Sequence, residues 1–163
     1  MAFLVQSDLG DVENATAYIT EAELRDYWAD RGAPLLAWSS SDCEAAIIQA
    51  TQYIDLRFLY VGTKMAGTTQ ATEFPRAYSE GIPVNLKKAC CEYAYWSQIL
   101  PLQTVASASE GNIKSERKRI EGAMEKEIVY NGTKSFSQFN QYPVADGLLR
   151  SLGVSLSGGC FRA

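Results

Sequence analysis

Histidine is absent from the 163 residues of this chain, although acidic, cysteine and serine side chains are present. Histidine is the commonest general base, the usual activator of a serine or cysteine nucleophile, and a frequent metal ligand. The four cysteines form no CxxC pair of the kind that binds zinc: Cys43, Cys90, Cys91 and Cys160. The acidic, cysteine and serine side chains lie in no catalytic motif. We therefore expect a protein that is not an enzyme and that binds no metal and no cofactor.

Composition and charge restrict the class of protein further. The length is that of one domain, and 47% hydrophobic with 21% charged residues is typical of a globular chain. A net charge of -4 disfavours a general nucleic-acid binder, because that affinity comes mainly from lysines and arginines that neutralise phosphates. The start of the chain lacks a signal-peptide pattern, and no apolar run reaches the ~18 residues of a membrane span. We expect free thiols and a reducing cytosol.

The stretch from Ser41 to Tyr60 is predicted to be the central helix. Ser41 and Glu44 have the spacing of a capping box, in which each side chain accepts a hydrogen bond from a backbone N–H at the helix start. An earlier helix is predicted to begin at a second capping box, Thr20 with Glu23, and to end at Gly32. The apolar stripe of the central helix is expected in the core: Ile47, Ala50, Thr51, Ile54 and Phe58.

Two further helices are predicted towards the C-terminus. One runs from Val84 to Leu100, with Lys88 and Glu92 paired on its outer side. Its inner stripe is expected to contain Leu86, Ala89, Cys90, Tyr93, Ser97 and Leu100. A short helix opens at Pro143. Its apolar residues are expected to close the core: Val144, Leu148, Leu149 and Leu152.

A loop of roughly 20 residues, 61–82, separates two of these helices, and its length suggests either a function or a packing role. Within it Phe74-Pro75-Arg76 is a rigid turn, because proline restricts its own backbone and that of the preceding residue. Two interpretations remain open. Phe74 is a hydrophobic plug while Arg76 caps a helix C-terminus, or Phe74 and Arg76 bind a partner.

Residues 113–131 are predicted to form a β-hairpin that turns near Glu121-Gly122, because apolar residues and glutamates alternate there with a period of two. The cations are nearly balanced by glutamates, so their number alone does not indicate a nucleic-acid patch. Opposed charges would fix the register of the hairpin, within itself or against a neighbouring subunit; a solvated face is the alternative. The residues expected to take part are Lys114, Glu116, Arg117, Arg119, Glu125, Glu127, Ile128 and Tyr130.

The two ends of the chain are predicted to be arms on a helical domain of residues 18–152. Residues 1–17 form an N-terminal arm that is either ordered or loose. In the C-terminal arm, 153–163, flexible serines and glycines separate the apolar residues Val154, Leu156 and Phe161. This pattern suits an arm laid into a groove on another protein, and simple disorder is the competing interpretation.

Several of these segments resemble one known family. The matching motifs, in chain order, are Tyr18-Ile19-Thr20 with Tyr27 and Arg31, residues 47–55 (IIQATQYID), Phe74-Pro75-Arg76, Ile82-Pro83 with Lys88-Ala89, Ile113-Lys114-Ser115-Glu116, Tyr142-Pro143 and Asp146-Gly147-Leu148-Leu149. The chain therefore resembles the tailed-bacteriophage family often labelled DnaT-like single-stranded DNA-binding protein, which is similar to head-to-tail adaptor, or head-completion, proteins. The likeness covers most of residues 18–152, and the ATQYID and FPR motifs are its most specific parts.

The residue patterns above predict a mainly α protein: a small bundle of three longer helices and a short C-terminal helix, with a protruding hairpin and an extended C-terminal arm. The resemblance likewise implies a mostly helical protein. It implies a structural adaptor, or connector, in the virion neck, made in the host cytoplasm and not associated with a membrane. About twelve copies would form a ring between the portal protein and a tail or tail-completion protein, and double-stranded genome DNA would pass without specific binding. Hairpins would contact neighbouring subunits. The arm would contact the portal through Val154, Leu156, Phe161 and Arg162.

The family label suggests an alternative, a single-stranded DNA-binding or replication accessory protein. Its phosphate contacts would be Lys114, Arg117, Lys118 and Arg119, and the aromatic side chains that stack on bases would be Phe136, Phe139 and Tyr142. An acidic chain suits a channel through which DNA slides better than it suits binding of single strands.

Overall fold

Four α-helices carry the fold in the computed structural model, which describes residues 2–103, 115–120, 124–129, 142–152 and 155–156. They are α1, Glu21–Ala29; α2, Ser40–Arg57; α3, Val84–Ser97; and α4, Pro143–Arg150. The described strands are β1, Phe58–Leu59; β2, Ser115–Ile120; β3, Met124–Val129; and β4, Ser155–Leu156. The prediction of a mainly helical protein with three longer helices and a short C-terminal one is confirmed.

The chain divides into two compact units. One unit, which we call the body, comprises Met1–Leu102 and Gln141–Ala163, and the other, the hairpin unit, comprises Gln103–Asn140. All four helices belong to the body, whereas β2 and β3 belong to the hairpin unit.

The core of the body lies where α2 packs against α3 and α3 packs against α4. Full burial of an isoleucine or leucine side chain contributes about 1.5–3 kcal/mol, so a few such residues outweigh most surface contacts. The stripe predicted for α2 is confirmed, since all five members are buried: Ile47, Ala50, Thr51, Ile54 and Phe58. On α3 the predicted Leu86, Ala89, Cys90 and Tyr93 are buried as well.

The start of α2 differs from the prediction. Ser39 is the N-cap: its Oγ accepts a hydrogen bond from the Asp42 N–H at 3.2 Å, and the Asp42 carboxylate accepts one from the Ser39 N–H at 3.1 Å. Ser41, the predicted cap, lies inside the helix. Three consecutive serines, 39–41, each offer a capping hydroxyl, and the structure uses the first. The helix also stops at Arg57, before the predicted end at Tyr60.

The capping box predicted for α1 is confirmed. Thr20 Oγ1 accepts a hydrogen bond from the Glu23 N–H at 3.2 Å, and the Glu23 carboxylate accepts one from the Thr20 N–H at 2.7 Å. The helix ends at Ala29, and Gly32 follows with a φ of +72°. Glycine suits this position because other side chains are strained at positive φ.

Three details of α3 and α4 correct the prediction. Glu92 does not pair with Lys88 on the outside of α3: it is buried, and it accepts a hydrogen bond from the Tyr27 hydroxyl at 2.7 Å. Leu100 is exposed because α3 ends at Ser97. Val144 on α4 is also exposed, and the buried face of this helix consists of Ala145, Asp146 and Leu149.

The N-terminal segment packs on the body, so the interpretation that it is a loose arm is wrong. Val5 forms a β-bridge with Ala17. Gln6 is buried, and its Nε2 donates a hydrogen bond to Thr72 Oγ1 at 3.0 Å. Asp8 accepts a hydrogen bond from the Ile82 N–H at 2.9 Å. These contacts hold the second half of the 61–82 loop against the N-terminal residues.

The strands form two separate antiparallel pairs. In the hairpin unit β2 pairs with β3, and Ile120 lies opposite Met124, which agrees with the predicted hairpin. The predicted turn residues, 121–122, lie outside the described residues. In the body β1 pairs with β4, with Phe58 opposite Leu156 and Leu59 opposite Ser155.

Candidate interaction surfaces and buried polar sites

A buried ion pair joins α2 to α4. Arg57 Nη1 donates to Asp146 Oδ1 and Nη2 donates to Oδ2, both at 2.9 Å, and the two side chains are 5% and 6% exposed. Tyr93 on α3 donates its hydroxyl hydrogen to the same carboxylate. Burial raises the pKa of Tyr93 well above its ordinary range, so the hydroxyl stays protonated as a donor. One carboxylate therefore connects three helices.

Tyr142, directly before α4, closes this cluster from one side. Its ring centroid lies 5.7 Å from that of Tyr93, 6.3 Å from Tyr53 and 5.9 Å from Trp96, and the residue is buried. Within the described part of the structure its buried hydroxyl has no hydrogen-bond partner. An enclosed ring cannot stack on a nucleic-acid base, so the predicted stacking role of Tyr142 is wrong. Phe136 and Phe139 lie outside the described residues.

Arg76 links the two sides of the 61–82 loop. Its Nε donates to the Glu73 carbonyl at 3.1 Å, Nη1 donates to the carbonyl of Gly62, and Nη2 pairs with the Glu73 carboxylate. Arg76 is 6% exposed, and Phe74 is 1% exposed with its ring 5.0 Å from that of Tyr60. The interpretation of Phe74 as a plug is confirmed. Arg76 caps loop carbonyls and not a helix end, and neither side chain is available at the surface, which corrects their predicted role in binding a partner.

A second polar cluster surrounds Asp55 on α2. Its carboxylate accepts hydrogen bonds from the Tyr18 hydroxyl and from the Glu73 N–H, the latter at 3.3 Å. The Tyr18 oxygen in turn accepts from the N–H of Phe74 at 3.2 Å. Burial raises the pKa of Asp55 to about 7; the hydrogen bond from Tyr18 opposes this shift, and the charge of Glu73 adds to it. The cluster attaches the N-terminal segment and the loop to α2.

Most cations of the body are already paired with carboxylates. The pairs among residues 2–103 and 142–152 are Arg25–Glu21, Arg31–Glu92, Arg57–Asp146, Lys64–Glu73, Arg76–Glu73 and Lys87–Glu23. In those ranges, every lysine and arginine except Lys88 and Arg150 belongs to one of these ion pairs. Phosphate binding needs several cations with unsatisfied charge, so the described body offers a poor surface for nucleic acid.

The hairpin unit contains the residues for which contacts with a neighbouring subunit were predicted. The register places Arg117 opposite Glu127, Arg119 opposite Glu125 and Glu116 opposite Ile128, while Lys118 lies opposite Lys126. Opposite charges directly across an antiparallel pair stabilise it, whereas like charges destabilise it. The register thus places two opposite-charge pairs and one like-charge pair directly across the hairpin. Lys114 and Tyr130 lie outside the described residues.

Of the four residues predicted to bind the portal, only Leu156 is described, and the structure places it in β4 opposite Phe58 of the same chain. Val154, Phe161 and Arg162 lie outside the described residues. Ser155 and Leu156 therefore pair with β1, in an antiparallel arrangement that sequence reasoning did not anticipate.

From β1 into the loop the chain carries three exposed apolar side chains that we call the apolar strip: Leu59, Val61 and Met65. Leu59 is 57% exposed and Val61 72% exposed, whereas Phe58 is buried. The segment bends at Gly62, which has a φ of +85°. Beyond the bend, the Thr63 carbonyl accepts a hydrogen bond from the Ala77 N–H at 3.0 Å, and the Met65 N–H donates to the Pro75 carbonyl at 3.1 Å.

Sequence reasoning missed the Arg57–Asp146 pair and the Asp55 cluster. The signal for Asp146 is a carboxylate between the apolar residues of a short helix, where a buried charge requires a partner. Which cation supplies that partner follows only from the tertiary structure, because Arg57 and Asp146 are 89 residues apart.

The described residues hold no group of three or more histidine, cysteine, aspartate or glutamate side chains placed to bind a metal ion. Within the same ranges, none of the helices has the length and apolar character needed to cross a membrane.

A family model described as "Putative DnaT-like ssDNA binding protein" matches residues 1–163. Neither a curated protein nor a solved structure matches the chain.

Proposed function

The chain belongs to this DnaT-like single-stranded DNA-binding protein family, and we propose, on the charge pairing of its body, that it is a structural head-to-tail adaptor of a tailed bacteriophage. In this role it has no enzymatic activity. It forms a ring of about twelve copies in the virion neck, under the portal protein and above a tail or tail-completion protein, and genome DNA passes through without specific binding.

The observation that carries this proposal is the pairing of cations in the body. Six lysines and arginines of the described body already lie within 4.0 Å of a carboxylate. DNA that slides through a ring meets a lining without strong phosphate contacts if most cations are neutralised in this way. The same pairing leaves few cations in the described body to bind the phosphates of a nucleic acid.

Two segments then supply the contacts with other chains. The hairpin belongs to a separate compact unit, and its register leaves Lys118 opposite Lys126. An acidic group of a neighbouring subunit would relieve that like-charge pair, which supports a subunit contact at the hairpin. The C-terminal residues after Leu152 are the proposed contact with the portal, through Val154, Leu156, Phe161 and Arg162.

The test is cosedimentation of the purified full chain and two shortened chains with purified portal rings. One shortened chain ends at Leu156 and keeps β4, and the other ends at Leu152 and lacks it. We expect the chain that ends at Leu152 to lose binding, and the chain that ends at Leu156 to show how much the last seven residues contribute. Circular dichroism and thermal unfolding check that both shortened chains fold. If the chain that ends at Leu152 bound as tightly as the full chain, the portal contact would be wrong.

A second candidate function, binding of single-stranded DNA, is favoured by the description of the family. Its phosphate contacts would lie in the hairpin unit, at Lys114, Arg117, Lys118 and Arg119. Fluorescence anisotropy of a labelled oligonucleotide at low and moderate salt separates the candidates. Saturable, salt-sensitive binding that is lost in the triple variant Arg117→Glu, Lys118→Glu, Arg119→Glu but kept in the body control Lys88→Glu would favour DNA binding and count against the adaptor.

A further inference from the structure

Two exposed apolar surfaces lie beyond the opposite ends of α2. The apolar strip, which begins at Leu59, follows the last residue of the helix. The connection between α1 and α2 precedes the first residue of the helix and contains Leu36, which is 87% exposed. A helix of 18 residues is about 27 Å long at a rise of ~1.5 Å per residue, so α2 holds the two surfaces apart within one chain.

The surface before α2, which we call the aromatic face, comprises Leu36, Trp38, Tyr95 and Ile99. The rings of Trp38 and Tyr95 stack with their centroids 6.0 Å apart and their planes 10° from parallel, and both side chains are half-buried. Ile99 lies one turn beyond Tyr95 and is exposed. Tyrosine and tryptophan side chains that are packed on one side and open on the other are enriched where proteins bind each other.

Acidic side chains border the aromatic face. Asp26 directly follows Arg25, whose Nη2 donates a hydrogen bond to the Trp38 carbonyl at 2.9 Å. The Asp42 carboxylate accepts a hydrogen bond at 3.1 Å from the N–H of Ser39, the residue after Trp38. Asp26 and Asp42 are exposed, and neither belongs to an ion pair of the described body. The border of the aromatic face therefore carries unpaired negative charge.

The cations outside the ion pairs of the described body, Lys88 and Arg150, lie on one edge, which we call the cationic edge. Asn85 Nδ2 donates a hydrogen bond to Ser151 Oγ at 2.8 Å, which joins the start of α3 to the end of α4. Lys88 lies one turn after Asn85, Arg150 directly precedes Ser151, and both cations are exposed. Ser155 pairs with β1, and the four residues from Ser151 to it span at most about 14 Å. The cationic edge is therefore close to the start of the apolar strip.

We infer that the apolar strip of one copy of this chain binds the aromatic face of a second copy, with the cationic edge of the first against the acidic border of the second. Because the two surfaces differ, each copy binds one neighbour through its strip and the other through its aromatic face. Such a heterologous contact generates a ring when the rotation between copies closes. Opposite charges at the border set the orientation and disfavour contact between two identical surfaces. The inference deepens the proposed function, on which it rests for the closed ring, by naming a subunit contact in the body.

Two single variants of the full chain, measured alone and mixed, test the inference. Val61→Glu places a charge in the apolar strip, and Leu36→Glu places one in the aromatic face; both side chains are exposed, and circular dichroism checks that the variants fold. Sedimentation equilibrium compares the masses with 17.9 kDa for one copy. We expect the wild-type chain at high concentration to form species larger than two copies, and each variant alone to remain a single copy. The mixture should stop at two copies, because it holds one intact strip and one intact aromatic face.

Two controls separate the named surfaces and charges from general effects. Leu9→Glu changes another exposed leucine, in the N-terminal segment outside both surfaces, and should associate like the wild-type chain. Arg150→Glu should weaken association, whereas Arg150→Lys, which keeps the charge of the cationic edge, should not. Added salt should weaken association of the wild-type chain as well, because exposed charges are screened.

The contradicting outcomes are distinct. A wild-type chain that stays a single copy at every concentration would overturn the inference. Pairs formed by one variant alone, or a mixture that forms none, would also overturn it, because the contact would then not join a strip to an aromatic face. The measurement uses the chain without portal, so it fails independently of the proposed function: association through these surfaces without portal binding would sustain the inference and count against the adaptor.

Discussion

Arg57 and Asp146, 89 residues apart in the sequence, meet in the core as a bidentate ion pair with both N–O distances at 2.9 Å. The pair fixes α4 on α2, and α4 is the element that directly precedes the C-terminal segment. Removal of one partner from a buried pair leaves the other charge without compensation in a medium where it is poorly solvated. The position of α4, and with it the start of the C-terminal segment, therefore depends on both side chains.

The variant Asp146→Asn should lower the free energy of unfolding by about 3 kcal/mol or more, because Arg57 keeps its charge and loses its partner. Urea denaturation followed by circular dichroism measures the loss. The matched control is Lys87→Ala, which removes an ion pair whose side chains are 33% and 42% exposed. We expect that control to cost no more than about 1 kcal/mol. Equal losses in the two variants would show that the buried pair has no special role.

The variant Ser39→Ala should lower the free energy of unfolding by about 1 kcal/mol, because Ser39 Oγ accepts the hydrogen bond from the Asp42 N–H at the start of α2. Ser41→Ala is the control, since Ser41 lies inside the helix and alanine has the higher helix propensity. Thermal unfolding of both variants decides between the two caps. A larger loss of stability in the Ser41 variant would show that Ser41 is the N-cap, as the sequence pattern predicted.

Two glycine substitutions should act with opposite signs. Gly81 has a φ of +77°, and a Cβ atom there would lie 2.7 Å from Asp8 Oδ1, so Gly81→Ala should destabilise the chain by about 1 kcal/mol or more. Gly147 lies within α4, and a Cβ atom added there would lie within 4 Å of no atom outside its chain neighbours and its own helix backbone, so Gly147→Ala should stabilise by about 0.5–1 kcal/mol. Differential scanning calorimetry of both variants measures the shifts. A stabilising Gly81→Ala would contradict the contact with Asp8.

Asp55 should make stability depend on pH between about 4 and 7. Its pKa is about 7 in the folded chain against an ordinary 3.8, so the folded state binds the proton more tightly than the unfolded state. The free energy of unfolding should therefore fall as pH rises through this range and level off above pH 7. Asp55→Asn should remove most of the slope in urea denaturation across this range. A stability that rises with pH in the wild-type chain would contradict the assignment.

Carboxylates with a lowered pKa do not produce the decrease in stability expected from Asp55 as pH rises. The pKa of Glu21 is lowered by its hydrogen bond from Arg25, and that of Asp42 by its hydrogen bond from Ser39. Groups with lowered pKa contribute stability that is lost only as pH falls below their ordinary values near 4. Their effect has the opposite sign and lies at lower pH, so the two can be separated in one titration.

Local patterns determined much of the helical body. The Thr20–Glu23 box and the stripe on α2 depend on residues within a few helical turns, so spacing alone predicts them. The same holds for the alternation that indicated a hairpin near residues 115–129. Spacing could not select Ser39 over Ser41 as a cap, because all three consecutive serines satisfy the local rule.

The amino-acid sequence by itself determined that the chain has no histidine chemistry, that it is acidic, and that its helices have one apolar face each. Tertiary structure decided which charges are buried and with which partners: Arg57 with Asp146, and Arg76 with the carbonyls of its own loop. It also decided that Leu156 lies opposite Phe58. The physical reason is that a buried charge or an open strand edge can be satisfied by any suitable group that the fold brings near, and sequence separation carries no information on which one that is.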